Sequence, residues 1–346
     1  MVVGGGPVGL AAALFAARAG LSGVVLEPRT FPIDKACGEG LMAAATDLLG
    51  ELGVFPSGHA FRGISYLDAT HRAEAYFPAG RTGLGVRRTE LHRALSAAAV
   101  AAGVPIRAER LETLVSAPDR VVVNGIEACY VIAADGLHST VRRRLGLDRP
   151  APSGPVRGRV SPPRRWGLRA HYRLAPWSQT VEVHWSDDGE AYVTPIADDL
   201  VGVAVLSARQ GPFQEHLTKF PSLAPRLSGL QPLARPEGAG PLRQRTSARV
   251  AGRVLLVGDA AGYVDALTGE GLSIGLRQAQ AAVARIAGDR PAAYERDYRS
   301  ITRQYRVLTQ GLLLAGRAPV VRRRLVPAAA ALPRVFALAV GRAGLG

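Results

Sequence analysis

Two kinds of apolar pattern alternate along this chain. The first is the short uninterrupted run: Met1-Val2-Val3, then residues 23–26, 130–134 and 254–257. Such runs predict strands buried on both faces, as in a parallel sheet held between helices. The second is a period of two, carried by β-branched and aromatic residues over 180–185, 191–196 and 201–206, which predicts an antiparallel sheet. Residues 63–67 and 73–77 predict a further pair of strands across an Asp-Ala-Thr-His turn. Helices are expected over 10–20, 41–52 and 89–102, and again from about Gly271. In the third, Leu91 and Leu95 stand one turn apart and Thr89 is placed as an N-cap. Residues 207–246 predict irregular chain with one short helix, and the Pro-, Gly- and Arg-rich stretch 149–165 predicts a crossing between domains.

The opening run leads straight into Gly4-Gly5-Gly6-Pro7-Val8-Gly9 and then into an alanine-rich helical stretch closed by Gly20. Strand, glycine turn and helix in that order predict a dinucleotide site. Gly4 makes the turn, Gly6 lets main chain approach a pyrophosphate, and Gly9 lets helix and strand pack closely. Pro7 and Val8 open the helix, whose free amides and positive dipole end face the phosphates. Glu27 ends the second strand about twenty residues on, where a carboxylate would accept hydrogen bonds from a ribose. Pro28 and Arg29, directly after it, complete this end of the expected site.

Composition changes this picture little. With 47% hydrophobic and 21% charged residues the chain reads as an ordinary globular protein of more than one domain. Its net charge of +15 invites a nucleic-acid function. That is discounted, because arginine is spread along the whole chain and no nucleic-acid module is visible; a basic surface would still favour an anionic substrate or an acidic membrane face. Cys37 and Cys129 lie far apart, which fits a reducing, cytoplasmic setting without a disulfide framework. No metal constellation and no nucleophile elbow are apparent. The start inside a strand implies no signal segment. Only three residues precede Gly4, so the first strand is expected to be clipped, or the native start to lie upstream.

A second chemical signal follows the 254–257 run. Gly258-Asp259 stands at a strand's carboxyl end, where open α/β sheets bind ligands and a carboxylate could hold a ribityl chain. Thr268-Gly269-Glu270-Gly271-Leu272 then opens a helix whose N-terminus would face the N1–C2=O edge of a flavin, the edge that gains negative charge on reduction.

Taken together, the GGGPVG opening with Glu27, the stretch Asp135-Gly136-Leu137-His138-Ser139-Thr140-Val141-Arg142 and Gly258-Asp259-Ala260-Ala261 resemble the three motifs of FAD-dependent class A flavoprotein monooxygenases. Within that superfamily, Lys35-Ala36-Cys37-Gly38-Glu39-Gly40 and the stretch from Gly258 to Gly271 look closer to the geranylgeranyl-reductase-like branch; aromatic hydroxylases usually have histidine where this chain has Gly262. The resemblance implies that Arg88 touches the FAD phosphate or ribose, that Cys37 lies near the isoalloxazine, and that Asp135 serves both FAD and the nicotinamide cofactor. The residues alone leave open a solvated Arg88, a Cys37 that merely fills space and an Asp135 that caps a turn.

The fold implied is α/β: a Rossmann-like FAD-binding domain of the glutathione-reductase type, discontinuous over 1–60, 85–148 and 247–290. A substrate domain with an antiparallel sheet is inserted at 61–84 and 149–246, and a C-terminal helical region covers 291–346. Tyr192 and Thr194, on one face of a strand roofing the flavin, are the candidates for the substrate pocket. No catalytic acid or base is assigned. The expected reaction is NAD(P)H-dependent hydroxylation of an aromatic or polyketide-like molecule, with molecular oxygen carried through a flavin C4a-hydroperoxide. The alternatives are reduction of prenyl or other lipid double bonds and a non-catalytic flavin-binding scaffold or lipid carrier. The tryptophan-containing signature of flavin halogenases is missing, and no second dinucleotide fold is seen for NAD(P)H. The apolar stretches 312–315 and 325–340, interrupted by Pro327, Pro333 and Arg334 and flanked by Arg322-Arg323-Arg324, are too short and broken to span a membrane. They predict a helix docked on the body, or alternatively one lying on a membrane surface.

Overall fold

In the computed structural model, residues 1–78, 80–149, 164–316 and 318–345 are described, with side chains to residue 341. The uninterrupted apolar runs assemble into one sheet, in the order Val250–Ala251, Val254–Leu256, Val131–Ala133, Val2–Val3, Val25–Leu26, Ile106–Arg107. Every neighbouring pair is parallel except the edge hairpin of Val250–Ala251 with Val254–Leu256. The four central strands are buried along their whole length, packed against helices and against Val121 and Val123 of a separate three-stranded antiparallel sheet, Leu114–Ser116, Val121–Val123 and Ile126–Ala128. Helix Pro7–Arg18 crosses from the first strand to its parallel neighbour, and helix Gly271–Ala287 follows the last strand. Small side chains, Ala12, Ala13, Ala279 and Ala282, let both come close to the valine and leucine layer.

A second sheet of seven strands runs Glu237–Ala239, Trp166–Arg173, Leu200–Ser207, Gly189–Ala197, Val181–Trp185, Gly63–Leu67, Arg72–Tyr76. It is not wholly antiparallel. Val181–Trp185 runs parallel to Gly63–Leu67, because the Gly63–Tyr76 hairpin enters the sheet from a much earlier passage of the chain. Strand Trp166–Arg173 was not foreseen at all. Its alternation is hidden because the inward positions include Arg169 and His171, each 4% exposed. Two short helices, Phe213–Leu217 and Ala224–Leu227, replace the single one expected over 207–246. Phe213, Leu217, Leu223 and Leu227 pack beneath the sheet against Tyr172 and Val203.

Local corrections have local causes. Leu41 belongs to a strand, Gly40–Leu41, and the helix after it is Ala43–Glu51; Leu41 pairs with Leu84 in a small sheet that also takes in His59–Phe61. Thr89 is not a cap. Helix Arg88–Ala101 starts one residue before it, after Arg87, and no side chain caps it. The 149–165 crossing lies largely outside the described residues. At the C-terminus, helix Tyr294–Ala315 is followed by Pro319–Arg322, Leu325–Ala331 and Pro333–Leu345, two of them begun by proline where its missing N–H costs nothing. Arg322 ties this region to the second sheet, donating to Glu190 Oε1 at 2.6 Å with its guanidinium over the Trp185 ring. Among the described residues no single helix is long and apolar enough to cross a membrane; Pro319–Ala331 with Pro333–Gly341 meets that test only as a pair bent by 99°.

Candidate active site

A cavity of about 580 Å³ runs from the glycine turn of the first sheet, beneath the second sheet, to the C-terminal helices. At its polar end the glycines divide the labour. Gly4 has φ +104°, and a Cβ there would stand 2.5 Å from Ala134 O; a Cβ on Gly9 would stand 1.9 Å from Gly4 O. Those two therefore shape the turn and do not line the cavity, whereas Gly6, Pro7 and Val8 do. No side chain caps the helix they open, so its first amides are left for a ligand.

Glu27 is 2% exposed and lies behind this wall. Its Oε2 accepts from Gly5 N at 2.9 Å and Arg29 Nη2 at 2.8 Å, and its Oε1 from Arg29 Nε at 2.8 Å. Burial alone would raise this carboxyl; the hydrogen bonds from Arg29 and Gly5 outweigh it and hold it below its ordinary value. Arg29 lines the cavity, while Pro28 is exposed outside it.

Arg88 faces the same end. Its Nε is buried without a hydrogen-bond partner, and its Nη2 would lie 3.7 Å from a Cβ on Gly6. Desolvation pushes its guanidinium below its ordinary value, with Cys37 and Asp259 pulling the other way. A partly buried cation with no anion of its own beside an uncapped helix start fits a pyrophosphate.

Further along, Cys37, Asp135, Gly258, Asp259, Gly269, Gly271 and Leu272 all line the cavity. Asp259 Oδ2 takes a salt bridge from Lys35 at 3.0 Å. Asp135 is already employed: Oδ2 accepts from Thr140 N at 2.7 Å and Val141 N at 3.0 Å, so it caps helix Thr140–Arg144. Helix Gly271–Ala287 has no side-chain cap either, which leaves a second set of free amides at the cavity wall. Glu270, just before it, is 5% exposed with Oε2 unpartnered, and burial raises its carboxyl to about 7. Tyr192 and Thr194 line the roof, yet both hydroxyls bind the protein itself, Tyr192 Oη donating to Leu267 O at 2.7 Å and Thr194 Oγ1 to Gly38 O at 2.8 Å.

One buried polar group escaped the sequence analysis. Glu39, at φ +59°, accepts from Arg88 N at 2.8 Å and lies 2.6 Å from His171 Nε2. His171 Nδ1 stands 3.0 Å from Arg169, which pairs with Asp34. The network ties the second sheet to the Cys37 segment and to the start of the Arg88 helix. The acid in Cys-Gly-Glu-Gly and the two-residue spacing of Arg169 and His171 were the available signals.

Residues 1–162 match the FAD binding domain family. The menaquinone reductase of Mycolicibacterium smegmatis is 30% identical over 316 residues, covering 80% of this chain and 73% of that protein. The chain belongs to the FAD-dependent oxidoreductase superfamily. Another relative of this oxidoreductase, digeranylgeranylglycerophospholipid reductase 2 of Methanosphaera stadtmanae, is 26% identical over 299 residues, 80% of the chain and 74% of that protein. Among solved structures, the flavin-dependent halogenase CmlS has a TM-score of 0.75 at 23% identity, over 88% of this chain and 62% of that one, and shares the fold.

The fit to FAD rests on the unpaired Arg88, the two uncapped helix starts and the open face of Gly6. In this oxidoreductase FAD supplies the electron and hydride chemistry, while the chain binds it, orients it and keeps water away.

Proposed function

We propose that this oxidoreductase saturates a double bond in a long apolar chain of the isoprenoid type, drawing reducing equivalents from NAD(P)H through the flavin. The observation that carries this reading is the far end of the cavity, walled by Ile64, Val183, Leu206, Phe336 and Val340. Such walls reward a hydrocarbon at roughly 0.8 kcal/mol per buried methylene and offer nothing to anchor a phenolate. Tyr66 lines the same end, its ring centroid 5.3 Å from that of Trp185 and 4.7 Å from that of Phe336. Burial, with Glu190 and Glu270 nearby, holds its phenol above its ordinary value, so it stays a neutral, amphipathic part of this wall. Exposed Leu332, Val335 and Leu338, beside exposed Arg324 and Arg334, support a lipid surface as the source of such a substrate. The reductases among its relatives support the same reading.

The test is anaerobic turnover of the FAD-loaded protein with NADPH and a menaquinone bearing an unsaturated isoprenyl chain. A product that keeps two added hydrogen atoms in its isoprenyl chain after the ring has been reoxidised to the quinone is expected, with one NADPH consumed per double bond saturated. Turnover that needs oxygen and adds one oxygen atom to the product would instead identify a hydroxylase.

A further inference from the structure

A second cleft, of about 320 Å³, lies on the other side of the Gly258–Asp259 turn. Its walls are the chain returning to the first sheet at 243–249, the start of helix Gly271–Ala287 and the flank of helix Tyr294–Ala315. Arg149, Arg243, Arg245, Arg249 and Arg306 all line it, and Asp259 is the one carboxylate among the lining residues. That carboxylate is held by Lys35.

Arginine is abundant throughout this chain, so its presence alone says little. What differs here is how few of the described acids reach four of these five, Arg149, Arg245, Arg249 and Arg306. Arg142, Arg165, Arg169 and Arg322 each meet an acid, whereas among the described residues Arg149, Arg245 and Arg306 have no ion pair. Arg249 lies over the Tyr298 ring at 4.3 Å, and its Nε is buried without a partner. Glu295 reaches the Arg249 main-chain amide and leaves the guanidinium unpaired. Crowded guanidinium groups repel one another, and their planar donor forks match phosphate oxygens.

We propose that this cleft binds the phosphate groups of a small polyanionic ligand. It shares Gly258, Asp259, Tyr263 and Gly271 with the cofactor cavity, so the two adjoin. The phosphorylated adenosine half of a nicotinamide donor and free pyrophosphate present the same chemistry. The assignment does not depend on what substrate the enzyme reduces.

Calorimetric titration of the FAD-loaded protein with adenosine 2′,5′-bisphosphate and, separately, with inorganic pyrophosphate tests it. Saturable binding that weakens with added salt is expected, because exposed arginines contribute much of it. Arg245→Ser combined with Arg306→Ser, both exposed positions, should weaken binding about tenfold or more, with the flavin spectrum unchanged. Arg62→Ser, also exposed but outside the cleft, should change nothing. Tighter binding of the nucleotide identifies the nicotinamide donor as the source; equal affinities identify a simple phosphate site. No saturable binding by the wild-type protein, or undiminished binding by the double variant, would overturn the proposal.

Discussion

Arg88 shows how much one side chain reveals once its surroundings are known. In the sequence it is one of two adjacent arginines, and nothing separates a ligand contact from a solvated charge. In the structure its Nε is buried and unpartnered, a state that costs free energy until an anion arrives. Replacement by methionine therefore separates two effects. Arg88→Met should weaken FAD binding about a hundredfold, the loss of one or two charge-assisted hydrogen bonds. The thermal midpoint of the FAD-free protein should hold or rise, since an uncompensated cation has gone. Fluorescence of released flavin measures the first and a melting curve the second. Glu39 makes the complementary point: an acid in a glycine-rich loop reads as a surface residue, and only the arrival of His171 from the second sheet, 2.6 Å away, explains its burial.

At the scale of elements, the strand–turn–helix unit at the start was the most legible part of the chain, because its determinants are local. Gly9 is required by a contact with a residue only five positions earlier: a methyl group there would lie 1.9 Å from Gly4 O, which no rotamer can relieve. Gly9→Ala should cost about 3 kcal/mol or more and abolish flavin retention. Gly23→Ala, where a Cβ meets nothing within 4 Å, should stay within about 0.5 kcal/mol of wild type. Chemical denaturation of both variants checks the contrast. Elements fixed by distant partners were harder to read. Strand Trp166–Arg173 was missed because Arg169 and His171 break its apolar alternation, and those polar groups are tolerated inside only because Asp34 and Glu39 meet them. Leu41 was assigned to a helix because its strand partner, Leu84, is over forty residues away.

On the scale of the whole molecule, two buried acids sit where the layers meet. Glu270 begins the helix that covers the first sheet. Asp265 pairs with Arg165 at the second sheet, and its main-chain oxygen accepts from Tyr305 of the long C-terminal helix at 2.7 Å. Burial raises Glu270 from 4.5 to about 7, and raises Asp265 from 3.8 to about 6 against the pull of Arg165. Because the folded state binds these protons more tightly than the unfolded chain, their contribution to stability is full below about pH 4. It is lost as the pH rises through about 7, and Glu270 accounts for about 3 kcal/mol of that loss. Glu270→Gln should therefore shift the change in stability between pH 4 and 7.5 by about 3 kcal/mol relative to the wild type, in the direction of a smaller fall. Urea unfolding across that range measures it.

The sequence by itself determined the cofactor fold and named the separate segments that line one cavity in it. Those depend on glycine conformations, helix starts and uninterrupted apolar runs, all set by residues close together in the chain. The tertiary structure alone decided that polar groups such as Glu39 and Arg169 could be buried, that one strand pair in the second sheet runs parallel, and that the far end of the cavity is apolar and lined in part by the C-terminal helices. The Glu39–His171 and Arg169–Asp34 pairs and the parallel strand pair each join residues more than a hundred positions apart, and a pairing at that distance leaves no local pattern to read.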